Sequence, residues 1–129
     1  MSEEAIRADF VGRTLQGYYY FGIAWIASFD QGGRYRVTEK EEDGIELQAE
    51  GQWYFRGRAF CFFYGPPSWP LRERCAAVTK ISANCYAFHL FRADAGPPID
   101  ALGFQPRRSW HSRGWRQGEP STCEEKPTS

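Results

Sequence analysis

Between residues 14 and 91 the chain advances in short runs of aromatic and β-branched side chains, broken by Gly, Asp and Asn at intervals of roughly ten residues. That texture specifies strands joined by tight turns, and a chain built this way folds as an antiparallel meander. The alternation is sharpest after Gly44. Ile45, Leu47, Ala49, Trp53 and Phe55 fall on one face, and Glu46, Gln48, Glu50 and Gln52 on the other. One face of this strand is therefore buried and the other wet. In the next run both faces are apolar, with Ala59, Cys61 and Phe63 on one and Phe60, Phe62 and Tyr64 on the other. Such a strand is central, or covered on its outer side.

The pattern predicts strands near residues 14–20, 22–29, 34–38, 45–55, 58–64, 72–80 and 84–91. The punctuation between them is Asp30-Gln-Gly-Gly33, Glu41-Glu-Asp-Gly44, Arg56-Gly57, Gly65-Pro-Pro-Ser-Trp-Pro70 and Ser82-Ala-Asn84. Asp43-Gly44 is the clearest hairpin signal. Ahead of the strands, Ser2 as N-cap, Glu3 and Glu4 in a first turn, and a thin apolar stripe of Ala5, Ile6 and Phe10 predict a short helix that Gly12 ends. After Phe91 the periodicity stops, and the remaining residues hold five Pro and four Gly among scattered apolar side chains. The expectation is a helix over 1–11, a β domain over 12–92 and an irregular Pro/Gly/Arg-rich tail over 93–129. The fold class is all-β: a small antiparallel up-and-down barrel or strongly curved sheet of six to eight strands. At 129 residues there is room for one such domain and not for two.

Sixteen basic and sixteen acidic residues cancel, so no global field points to nucleic acid or to an anionic membrane. The charges are unevenly placed, with ten Asp/Glu and five Lys/Arg over residues 1–50 against three and ten over residues 51–118. Complementarity between the two halves is the simplest use of that asymmetry. No uncharged run reaches the ~20 residues of a membrane-spanning helix. The N-terminus is acidic and polar and has no apolar core like that of a secretory signal, which predicts a cytoplasmic protein from the sequence as it stands.

Four cysteines, Cys61, Cys75, Cys85 and Cys123, form no CxxC knuckle, and His89 and His111 are the only histidines, so no metal site is expected. Cys61 and Cys75 stand symmetrically about a turn at residues 65–70, where a cross-strand bridge is geometrically possible. Two small buried thiols in a reducing cell fit the same positions. Cys123 is a plain thiol, a partner for Cys85 or an intermolecular link.

No nucleophile elbow, zinc-protease, phosphate-loop or dinucleotide motif occurs, and Ser, His and Asp do not cluster as a triad. A non-enzymatic protein without a cofactor is expected. Glu73, the sole acid between Gly51 and Arg92, is expected to pair with a neighbouring or cross-strand Arg. Two clusters remain as candidate sites. The run from Gly17 to Trp25 offers rings with polar handles for an apolar cavity, and with the next inward-facing aromatics it nominates Tyr18, Tyr20, Trp25, Trp53 and Phe55 as ligand-binding. Arg107, Arg108, Trp110, Arg113, Trp115 and Arg116 interleave cations with indoles, a composition that docks a partner or grips single-stranded nucleic acid. Folding back onto the acidic strand 45–52 is the bland use of the same residues.

Gly12-Arg-Thr-Leu-Gln-Gly17, Phe29-Asp-Gln-Gly-Gly-Arg-Tyr35, Gly51-Gln-Trp53 and Cys61-Phe-Phe-Tyr64 followed by Cys75 resemble, in that order, small lipocalin-like β-barrel families of alphaproteobacteria. The resemblance covers residues 10–91. It implies an up-and-down barrel, a Cys61–Cys75 disulfide and an envelope or periplasmic location. The functional expectation is a binding or accessory protein that holds a small apolar ligand or docks a protein complex through its aromatic face and Arg/Trp tail. The alternative is an OB-like single-stranded nucleic-acid binder using Arg56, Arg58 and the basic second half.

Overall fold

The structure is a computed structural model that describes residues 1–20, 22–40, 43–65, 72–91 and 111–123. A helix, α1 (Glu3–Phe10), precedes eight strands: β1 (Arg13–Tyr19), β2 (Ala24–Phe29), β3 (Arg34–Lys40), β4 (Glu46–Arg56), β5 (Ala59–Gly65), β6 (Arg72–Ser82), β7 (Cys85–Phe91) and β8 (Ser112–Arg116). Each strand pairs antiparallel with the next, and β8 pairs back onto β1, so the sheet closes into an up-and-down barrel with no free edge. The seven strands and the helix read from the sequence are all present, displaced by a residue or two at their ends.

Two features depart from expectation. The OB-like alternative requires a five-stranded Greek-key barrel, and the sequential eight-strand meander is a different topology. The barrel also extends beyond residue 92, because the stretch read as tail contains β8, the strand that closes it. Ser-Arg-Gly-Trp-Arg has no β-branched residue and no apolar alternation, so nothing local announces a strand.

Its place is explained by a close approach. Trp25, Gly17 and Gly114 lie in one row across β2, β1 and β8, and the indole lies over both glycines. A Cβ on Gly114 would sit 2.5 Å from Trp25 Cη2, and one on Gly17 would collide with the Arg113 carbonyl oxygen. The residues beyond β8 are also anchored. Asn84, almost fully buried, donates through Nδ2 to the carbonyls of Arg116, Glu119 and Pro120 and accepts from the Arg116 N–H. A Cys85–Cys123 disulfide fastens the same segment.

The helix plugs one end of the barrel. Ser2 accepts a hydrogen bond from the Ala5 N–H as an N-cap, and Ile6 and Phe10 are buried. The Phe10 ring meets Phe29, Phe60, Tyr86 and Phe88 with centroids 4.9–6.1 Å apart, the contact with Tyr86 being edge-on. Next to it Asp9 accepts from the Tyr86 hydroxyl at 2.7 Å and faces Lys80 at 3.6 Å and Arg116 at 3.7 Å. Burial and that bond push the Tyr86 phenol up to about 12.

Candidate functional site

The opposite end holds a cavity of about 230 Å³. Its wall is aromatic and aliphatic: Trp25, Phe29, Tyr35, Phe62, Phe88 and Leu90. Phe29 and Phe88 also touch Phe10, so they form the floor that separates the cavity from the plugged end. Polar side chains gather where β1, β3, β5 and β7 end and β6 and β8 begin: Tyr19, Glu39, Tyr64, Arg74 and His111. This composition, an apolar well with a few polar groups near its mouth, is that of a small-molecule site.

Register explains the arrangement. In β1 the inward positions are Leu15, Gly17 and Tyr19, so Tyr19 reaches the cavity. In β3 Tyr35 and Val37 point inward, which places Glu39 on the same face at the strand's end. Arg74 stands opposite Phe62 and therefore also faces the interior side of the sheet. Tyr35 and Tyr64 lie on either side of Gly51, and their rings meet edge to face at 5.0 Å across the position where a side chain on Gly51 would clash with the Phe63 carbonyl.

The three cavity phenols are held neutral. Burial raises the Tyr19 pKa, and the neighbouring Glu39 carboxylate, which accepts its hydrogen bond, raises it further. Burial likewise raises Tyr35. For Tyr64 burial outweighs the opposing pull of the neighbouring Arg74 guanidinium. Tyr35 and Tyr64 therefore keep O–H groups that can donate to whatever enters, while that of Tyr19 is given to Glu39. The Trp25 indole Nε1 is buried without a hydrogen-bond partner among the described residues. His111 stands edge-on to Tyr19 at 5.3 Å and to Tyr20 at 5.7 Å.

Of the five residues nominated for ligand binding, the structure places Trp25 in the cavity wall. Tyr18 is on the outer face against Trp115, with centroids 5.9 Å apart, because the register makes the odd-numbered residues of β1 the inward ones. Tyr20 follows β1 and donates its N–H to the His111 carbonyl. Trp53 and Phe55 do face inward, but at the helix end, where the Arg7 guanidinium lies 5.3 and 4.9 Å from their ring centroids. The Trp53 Nε1 is bonded to the Asp30 carbonyl. Tyr19, Glu39, Tyr64 and Arg74 were missed. The available signal was a charge on the apolar parity of a strand near its end, Glu39 after Tyr35 and Val37, and Arg74 before Ala76 and Val78.

Of the nominated docking residues, the three that are described divide between two places. Arg113 and Trp115 stand on the outer parity of β8, whereas Arg116 turns to the plugged end and bonds Asp9 and Glu119. Arg107, Arg108 and Trp110 lie outside the described residues.

Cys61 and Cys75 are directly opposed in register and joined as a disulfide, buried on the outer face with Ala59. Beside them Glu73 accepts from the Tyr54 hydroxyl and pairs with Arg56 at 3.0 Å, the cross-strand partner expected of it. The two sulfurs and the Glu73 carboxylate lie within 4.8 Å of one another, but sulfurs tied in a disulfide offer no thiolate to a metal. Among the described residues no helix is long and apolar enough to cross a membrane. Comparison with protein-family models, with curated proteins and with solved structures finds no match for this chain.

Proposed function

We propose that this protein is a non-enzymatic, lipocalin-like binding protein that carries a small, largely apolar ligand in its barrel. The observation that carries the reading is the aromatic-walled cavity of about 230 Å³ at the end not occupied by α1. An eight-stranded barrel has an interior just wide enough to be filled by side chains or to hold one small ligand. Here α1 fills one end, and the other retains space. A dry apolar cavity of about 150 Å³ admits benzene, so the volume present accommodates a ring with a short substituent. Two disulfides in a chain of this size accord with an oxidising compartment such as the periplasm, where the ligand would be met.

Titration calorimetry with indole, an uncharged molecule of suitable size, tests the reading. Saturable one-to-one binding is expected for the native protein and its loss in Ala27→Leu, which places a larger side chain in the cavity wall. Absence of saturation with the native protein at millimolar indole, and with charged ring compounds of the same size, would remove the carrier role.

A further inference from the structure

Granted a ligand in the cavity, the charges at its mouth define the head group that ligand carries. Glu39 and Arg74 come from β3 and β6, and two phenols tie them into one cluster. Tyr19 bonds Glu39 and lies in the field of Arg74, while Tyr64 lines the same mouth within the fields of both Arg74 and Glu39. A carboxylate and a guanidinium thus stand together over an aromatic well. A purely anionic ligand would gain from Arg74 and lose to Glu39, and a purely cationic one would do the reverse. A neutral apolar molecule would use neither. A ligand bearing both charges a few ångströms apart gains from both.

The surroundings suit such a head. Guanidinium meets carboxylate in charge-assisted hydrogen bonds, with the Tyr64 hydroxyl as a further donor. An ammonium can bond the Glu39 carboxylate, whose two oxygens accept several hydrogen bonds and so keep the one from Tyr19. The rings of Tyr19 and Tyr64 border the same space and attract a cation through their faces. Below, Trp25, Phe62 and Phe88 wall a space of the size of one aromatic ring with a short chain.

We propose that the cavity binds a zwitterionic aromatic molecule of amino-acid size, its ring in the well, its carboxylate on Arg74 and Tyr64 and its ammonium on Glu39. The test is calorimetry of the full-length, disulfide-bonded protein with L-phenylalanine, 3-phenylpropionate and 2-phenylethylamine, which share ring and chain and differ in charge. Indole serves as the uncharged reference. L-phenylalanine is expected to bind at least about tenfold more tightly than either singly charged analogue, as the loss of one charge-assisted contact implies. In Glu39→Gln its advantage over 3-phenylpropionate should shrink to about threefold or less, and in Arg74→Gln its advantage over 2-phenylethylamine should do the same. An unchanged near-UV circular dichroism spectrum would establish that both variants keep the barrel.

Equal binding of L-phenylalanine and one singly charged analogue would overturn the dipolar head, as would binding of indole without binding of L-phenylalanine. In either case the carrier role would stand. Failure of all four molecules to bind the native protein would overturn that role and the zwitterion with it.

Discussion

At the helix end of the barrel Phe10 fills the space among Phe29, Phe60, Tyr86 and Phe88, whereas at the other end Tyr19, Tyr35, Phe62 and Tyr64 stand around about 230 Å³. Both ends are aromatic, so the difference does not come from hydrophobicity. It comes from what meets the rings. At the closed end Asp9 gathers Tyr86, Lys80 and Arg116, so the buried Tyr86 hydroxyl is matched within the protein. At the other end a carboxylate accepts from one phenol, a guanidinium lies beside another, and the indole N–H of Trp25 is left without a partner among the described residues. The closed end is finished for stability, and the cavity end retains bonding capacity for something that is not part of the chain.

The largest expected effect tests the closed end. Phe10→Ala removes a fully buried ring from the plug and should destabilise the protein by about 3–5 kcal/mol, read as a shift of the urea midpoint at unchanged slope. A loss under about 1 kcal/mol would mean that the helix does not plug the barrel. Next comes the clasp beyond β8. Replacing Cys85 and Cys123 together with Ser opens a loop of 38 residues and should cost about 2–4 kcal/mol, again by urea unfolding under non-reducing conditions.

A smaller loss is expected for Tyr86→Phe, about 1 kcal/mol for the hydroxyl that bonds Asp9. This variant also separates the ends by pH. The Tyr86 phenol titrates higher in the folded protein, near 12, than its ordinary 10, so its contribution is fully present below pH 10 and is lost as pH rises through 12. Stability of the native protein should therefore fall over that interval, and Tyr86→Phe should lose the part of the fall that belongs to this phenol. The smallest effect on stability tests the cavity end. Ala27→Leu fills space instead of emptying it and should alter stability by less than about 1 kcal/mol while abolishing indole binding. If it unfolds the protein as Phe10→Ala does, the two ends are equally close-packed and the contrast disappears.

Much of the closed end was legible in the sequence. The Ser2 cap, the Ile6 and Phe10 stripe and the alternation through β4 are local signals; the structure uses the first two and buries Ala49 and Trp53 as the third predicts, but leaves Ile45 and Leu47, read on the same face, exposed. That Cys61 and Cys75 face each other was readable from symmetry about a turn, since residues equidistant from a hairpin turn are opposed, but the same reading fitted two buried thiols as well as a bridge. Less of the cavity end could be read. Three consecutive tyrosines, Tyr18 to Tyr20, hide the parity of β1, and one residue of slip exchanges Tyr18 for Tyr19 as the inward ring. β8 escaped because its own composition carries no alternation, and the fit of Gly114 beneath Trp25 is visible only once the strands are placed. Arg116 has the composition of a surface cation but bonds Asp9, a partner visible only once the strand is placed.

The seam between β1 and β8 has a consequence in time as well as in space. Gly17 pairs with Gly114, so the contact that completes the barrel joins positions about a hundred residues apart in the chain. Seven strands can zip by neighbouring hairpins while the chain is still being made, but Trp25 finds its seat only after Gly114 has emerged. Until then the aromatic interior faces solvent along an unpaired β1 edge, which is the state most exposed to wrong pairing. Completion of the last strand, and not the slow growth of the sheet, is thus the step on which a productive outcome of synthesis depends.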